Sequence, residues 1–97
     1  MSDRSEGDWS EEEYLRYLHD ERRSYAWVMR RYGGLDAARA EAAALVRYPY
    51  EPADAPYRGL VLHDEAWHWA MLDLHGAQYR ASHPHLAAPS AEYQALD

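Results

Sequence analysis

Residues 60–82, LVLHDEAWHWAMLDLHGAQYRAS, form the longest strongly apolar segment of the chain and carry two of its four tryptophans and three of its six histidines. A helix that is apolar over so broad a surface is usually covered on more than one side. The rest of a 97-residue chain must therefore be arranged around it. We predict that this third helix begins between Pro56 and Asp64, with Asp54 or Asp64 as its cap, and ends before Pro84. Its main apolar face comprises Leu60, Trp67, Ala70, Met71, Leu74 and Ala77.

A first helix is predicted from Ser10 to about Tyr32. Ser10 and Glu13 have the spacing of a capping box, and Gly33-Gly34 is a typical stop. One face of this helix is apolar and is expected to meet the core, with Glu21 inside the stripe. That face comprises Tyr14, Leu18, Tyr25, Val28, Met29 and Tyr32.

A short alanine-rich second helix is predicted to open near Asp36 and to end at or before Tyr48, because a proline follows. Its small residues permit close packing, along an apolar edge of Ala38, Ala42, Leu45 and Val46. Residues 49–56, with three prolines, are expected to run extended as a strap before the third helix. Ser90 is placed to cap one last helical turn.

These elements predict an all-α fold in a single domain over residues 1–97. It is a small antiparallel three-helix bundle with a proline-rich strap before the third helix and a short C-terminal helical turn; residues 1–8 and 83–89 are expected to be irregular. A chain of this size buries only about 60% of its unfolded surface, so a partner or a metal would add needed stability. No cysteine is present to form a crosslink. Since no signal peptide or spanning apolar run is seen, we expect a cytoplasmic protein without membrane association.

The charge balance argues against nucleic acid as a partner. The formal net charge is -7, and a nucleic-acid binder needs a clustered positive face to neutralise phosphates. An acidic decoy for a nucleic-acid-binding protein is a weaker alternative, because the arginines interrupt any continuous negative surface.

The aromatic content predicts a protein-contact function, with a homodimer as the expected assembly and another protein partner as an alternative. Nine tyrosines and four tryptophans exceed what so small a domain can bury alone, and exposed aromatic patches usually mark contact surfaces. The predicted interface residues, on helices 1 and 3, are Trp27, Trp69 and Tyr79.

The rival hypothesis is a metal site. Glu65 and His68 lie three residues apart, so on a helix they project from the same side and can share one ion, while Glu21 faces inward from helix 1. The segment EAWHWAM resembles the second metal-binding helix of small ferritin-like proteins that dimerise to complete their site. This resemblance implies that Glu65, His68 and Glu21 are ligands to iron, manganese or zinc.

The structural alternative is that Glu65 and His68 are an ordinary surface pair and that Glu21 meets an arginine or water. No cysteine is present and no serine lies in an elbow motif, so a nucleophilic enzyme is not predicted.

Overall fold

The computed structural model describes residues 10–96, and all regular structure in that range is helical. Five α-helices are present: α1 (Glu11–Gly33), α2 (Ala37–Arg47), α3 (Ala66–His75), α4 (Tyr79–Ser82) and α5 (Ala91–Gln94). Two 3-10 turns occupy Leu60–His63 and Pro84–Leu86, the latter within the segment predicted to be irregular. The predicted all-α class is confirmed, whereas the predicted irregular leader lies outside the described residues. No helix in residues 10–96 is long and apolar enough to cross a membrane.

Helix α1 begins and ends as the sequence predicts. Ser10 and Glu13 form the reciprocal capping box, and Gly34 ends the helix with a φ of 72°, a left-handed conformation that favours glycine. Gly33, the last residue of α1, allows Leu74 of α3 to pack closely, since a Cβ at Gly33 would lie 2.8 Å from Leu74 Cδ2. The predicted apolar face is buried except for Tyr32, which is half-buried.

Helix α2 has the predicted limits but turns a different face to the core. Asp36 caps it and Tyr48 follows its last residue. The buried residues are Ala40, Ala44 and Tyr48, four residues apart in each step, because these alanines let α2 approach α1 closely. The predicted core edge of Ala38, Ala42, Leu45 and Val46 is exposed.

The prediction that residues 60–82 belong to one continuous third helix is wrong. Asp64 and Glu65 have extended backbone conformations that separate the first 3-10 turn from α3, and Gly76, with a φ of 89°, separates α3 from α4. Neither Asp54 nor Asp64 caps the helix, because Glu65 is its N-cap residue. The part of the predicted apolar face within α3 is confirmed for Trp67, Ala70 and Met71, which are buried.

Segment 49–59 contains tight turns rather than a wholly extended chain. The Ala55 N–H donates to Pro52 O at 2.9 Å, and Tyr57 has a positive φ of 59°. Its ends are tied to the start of α1: the Glu51 N–H donates to the Tyr14 hydroxyl at 2.9 Å, and the Arg58 guanidinium lies 3.9 Å from the centre of the Tyr14 ring.

Trp67 occupies the centre of the core, where α1, α3 and the C-terminal residues meet. Its side chain is 2% exposed. The rings of Tyr32 and Tyr93 lie edge-to-face at 5.2 and 5.5 Å, and the indole N–H donates to Leu86 O at 2.9 Å. Burial of this large ring, with its one polar atom satisfied, joins the C-terminal segment to the helices.

We predict that Trp67→Phe lowers the free energy of unfolding by about 2 kcal/mol, because it removes buried ring area and leaves the Leu86 carbonyl without its donor. Guanidinium unfolding of dilute protein, followed by circular dichroism, measures this. Trp27→Phe is the matched control at a half-buried position and is expected to cost less than about 1 kcal/mol. Equal losses for the two variants would contradict the central role of Trp67.

Candidate functional site

The Glu21 side chain caps α3 from a different helix. Its Oε1 accepts the N–H of Ala66, the first residue of α3, at 3.0 Å, while Glu65 makes no side-chain cap of its own. Burial raises the pKa of Glu21; the negative charges of Glu65 and Asp20 add to this rise, and the bond from Ala66 opposes it. Glu21 therefore satisfies a backbone donor that the N-terminus of a helix otherwise leaves unpaired.

Two tyrosine hydroxyls complete a polar cluster around this helix start. The Tyr93 hydroxyl accepts the Trp67 N–H at 3.3 Å, and burial raises the pKa of Tyr93 to about 12. Burial also raises the pKa of Tyr48, and the negative charge of Glu21 raises it further. The Tyr48 hydroxyl is buried without a hydrogen-bond partner, unlike the other buried side-chain polar atoms in residues 10–96.

His68 lies on another side of α3. Its Nδ1 is 2.9 Å from the Tyr79 hydroxyl and 3.3 Å from Arg80 Nη2. Glu65 is the exposed N-cap residue of α3, and its backbone carbonyl accepts the His68 N–H at 3.1 Å. The structure thus brings the Glu65 charge to Glu21 but turns His68 toward α4.

No group of three histidine, aspartate or glutamate side chains within residues 10–96 is placed to hold a metal ion. The ligand set of Glu21, Glu65 and His68, with iron, manganese or zinc, stays a prediction. It was derived for a dimer, in which each subunit supplies part of the ligands.

Trp69 and Tyr79, two of the predicted interface residues, make their contacts within the chain. The Trp69 indole N–H donates to Val61 O at 2.8 Å, and the Arg47 guanidinium lies 4.5 Å from the Trp69 ring centre. Arg47 is itself paired with Asp73. Tyr79 is 1% exposed.

Trp27, the third predicted interface residue, lines an open groove between α1 and α2. The groove has a volume of about 470 Å³ and a mainly apolar surface. Two of its arginines are engaged, Arg22 with Tyr48 O at 2.7 Å and Arg23 with Asp20 at 3.4 Å, whereas Arg30 has no hydrogen bond or ion pair to any residue from 10 to 96. The lining residues are Arg22, Arg23, Ala26, Trp27, Arg30, Ala37, Glu41, Ala44 and Leu45.

An exposed apolar stripe runs along α2 beside this groove. Leu45 is 54% exposed and Val46 is 82% exposed, although both are large apolar residues. Leu45 also lines the groove, so the stripe and the groove are continuous. We call this combined surface the α2 face, consisting of the groove and of Ala38, Ala42, Leu45 and Val46.

The sequence shows that α2 has apolar residues, but it does not show which side of the helix faces the core. An alanine-rich helix has apolar residues on several sides, and the edge with the larger residues was expected to be buried. The alternative row of Ala40, Ala44 and Tyr48, spaced by four, is the one that packs against the rest of the chain.

Comparison of the chain with protein-family models, with curated proteins and with solved structures finds no match. A functional assignment therefore depends on the chain's own geometry.

For the polar cluster, we predict that Glu21→Ala destabilises the protein by about 1 kcal/mol, because the Ala66 N–H loses its acceptor. Glu21→Gln keeps an acceptor oxygen and removes the buried charge, so at neutral pH its free energy of unfolding should equal or exceed that of the unsubstituted chain. Chemical unfolding at several pH values measures both effects.

The pH dependence provides a further check of this assignment. A carboxyl whose pKa is raised by folding stabilises most when it is protonated, below the unfolded value near 4.5, and this contribution is lost as pH rises through the raised value. The Gln variant should lack that decline. A Gln variant as unstable as the Ala variant would show that the charged carboxylate is required.

Proposed function

We propose that this chain acts through protein contacts and that a homodimer formed through the α2 face is its working unit. One observation carries the proposal: α2 buries its small alanines and exposes Leu45 and Val46 beside an apolar groove. Continuous exposed apolar surface of this kind marks contact sites in proteins.

The proposal takes α1, α2 and α3 as an antiparallel three-helix bundle, with the proline-rich strap leading into the last of them. Contacts of α1 with both α2 and α3 support this arrangement. In it, α2 has one side against α1, and no part of residues 10–96 buries its opposite side, which a second copy could then cover.

A second copy of the chain is the occupant that fits the α2 face best. The side chains of the stripe are small in its N-terminal half, at Ala38 and Ala42, and large in its C-terminal half, at Leu45 and Val46. A two-fold axis that crosses two α2 helices in antiparallel orientation sets Ala38 of one subunit opposite Val46 of the other. Small side chains then meet large ones at both ends, as a self-complementary interface requires.

Charge supports the same pairing. The groove is rimmed by arginines, whereas the chain as a whole has a formal net charge of -7. The two-fold axis places both grooves on the same side of the helix pair, and Glu41 also lies on that side. Glu41 of the partner subunit then approaches the Arg30 side of the groove, where the Arg30 guanidinium has no ion-pair partner among residues 10–96.

Trp27 is the aromatic residue that this interface would cover. It is half-buried, and its ring already packs edge-to-face on Tyr32 at 6.3 Å, so little side-chain entropy is lost on binding. Trp69 and Tyr79 are not required for this version of the dimer, because their surfaces serve the fold of each subunit.

Sedimentation equilibrium of untagged protein tests the proposal. We expect the chain to sediment as a dimer and Ala42→Glu to weaken dimerisation by roughly 30-fold or more, because it buries a charge at the centre of the interface. Ala88→Glu makes the same change at another exposed alanine and should leave dimerisation unchanged. A monomeric unsubstituted chain, or equal effects of the two variants, would refute the proposed interface.

Trp27→Ala measures the contribution of the groove separately from that of the stripe. If the partner covers the Trp27 ring, the substitution should weaken association by about 2 kcal/mol while the helical circular-dichroism signal persists. A change of only a few tenths would remove the groove from the interface. Native mass spectrometry of the same samples would also detect bound iron, manganese or zinc.

A further inference from the structure

Three histidines lie close together where the chain leaves α3. His75 is the last residue of α3, His83 follows α4, and His85 lies in the second 3-10 turn. The rings of His75 and His83 are stacked, with centroids 4.0 Å apart and planes inclined by 24°. The His85 ring lies 6.1 Å from that of His83.

The segment that carries His83 and His85 brings no acidic side chain to the cluster. Residues 76–90 contain no acidic side chain, and their one arginine, Arg80, lies against Tyr79 and His68. The nearest acid along α3, Asp73, is engaged by Arg47 and by the Tyr25 hydroxyl. His83 Nδ1 is 2.8 Å from the Ser82 hydroxyl, which carries no charge.

Electrostatics at the cluster therefore oppose its full protonation. Burial lowers the pKa of His75, and the charges of His83 and His85 lower it further. The C-terminal end of α3 favours one cation at this position, but each additional proton adds a like charge close to the stacked rings of His75 and His83.

The cluster stands at the junction that directs the chain back to the core. Directly after it, Leu86 is buried and its carbonyl accepts the Trp67 indole N–H at 2.9 Å. Farther on, Tyr93 packs on the Trp67 ring at 5.5 Å. Movement of His83 away from His75 would displace the backbone that positions Leu86 and Tyr93.

We propose that His75, His83 and His85 form a pH-sensitive latch, which holds residues 84–96 against Trp67 when the rings are neutral and releases them when the rings become protonated. The proposal does not depend on the dimer, since the latch and its target lie within one chain. In this proposal, protonation of the histidines controls whether Trp67 and Leu86 are buried or exposed.

The direction of the pH effect follows from the binding of protons. A histidine whose pKa is lowered by docking takes up more protons in the released state, so docking is strongest above the ordinary histidine pKa of about 6.5 and weakens as pH falls below it. The release is thus expected on mild acidification and should reverse on return to neutral pH.

Nuclear magnetic resonance of the full chain tests the latch, with the Trp67 indole N–H and the amides of residues 84–96 as reporters. Between about pH 7.5 and about pH 5.5, we expect their hydrogen-exchange protection factors to fall severalfold, by roughly fivefold or more. The amides in the middle of α1 should keep their protection over the same range.

His75→Phe preserves a stacking ring that cannot be protonated, and it should keep residues 84–96 docked at the lower pH. His83→Gln offers a second non-titrating variant if the first fails to fold. His19→Phe makes the same change at an exposed position on α1 and should retain the pH response. Constant protection in the unsubstituted chain, an equal loss in α1, or an unchanged response in folded His75→Phe or His83→Gln would overturn the latch.

Discussion

The hydrogen bond from the Ala66 N–H to the Glu21 carboxylate connects the start of α3 to the middle of α1, and much of the structure depends on it. Helix α3 has 10 residues, which is too short for independent stability, and its own N-cap residue makes no side-chain bond. A cap supplied by α1 therefore sets both where α3 begins and how it faces α1. Trp67, the next residue, then enters the core directly beneath the bond.

This constraint explains why the sequence predicted α1 well and α3 poorly. The limits of α1 are set by local signals, the capping box at Ser10 and the glycines after Tyr32, and both operate within a few residues of the helix ends. The start of α3 is set by a side chain 45 residues away in the sequence. Inspection of residues 60–82 alone cannot reveal that contact, so the apolar run was predicted as one helix instead of three helical pieces.

The candidate sites show the same division between local and long-range information. The position of Trp27 off the core face of α1 follows from helical periodicity alone, and its role as an interface residue stays a prediction. The direction of α2 was not recognised, since the choice between the row of Ala40 and Ala44 and the edge of Leu45 and Val46 depends on how closely α1 can approach. The two buried alanines favour close approach of α2 to α1, and the larger residues are consequently left outside.

An exposed edge of this kind has consequences for where function is located. The polar cluster at Glu21 and the core at Trp67 are occupied with holding the helices together, whereas Leu45 and Val46 on the α2 face remain exposed. The histidine cluster differs from both, because the stacked pair of His75 and His83, with His85 beside it, adds little to a core that Trp67 already supplies. Its position just before Leu86 gives the chain a means to couple proton concentration to the docking of its C-terminal residues, while α1 and α2, which carry the α2 face, contain none of the three histidines. Self-association and acid-dependent release are thus expected to be separable properties of one small fold.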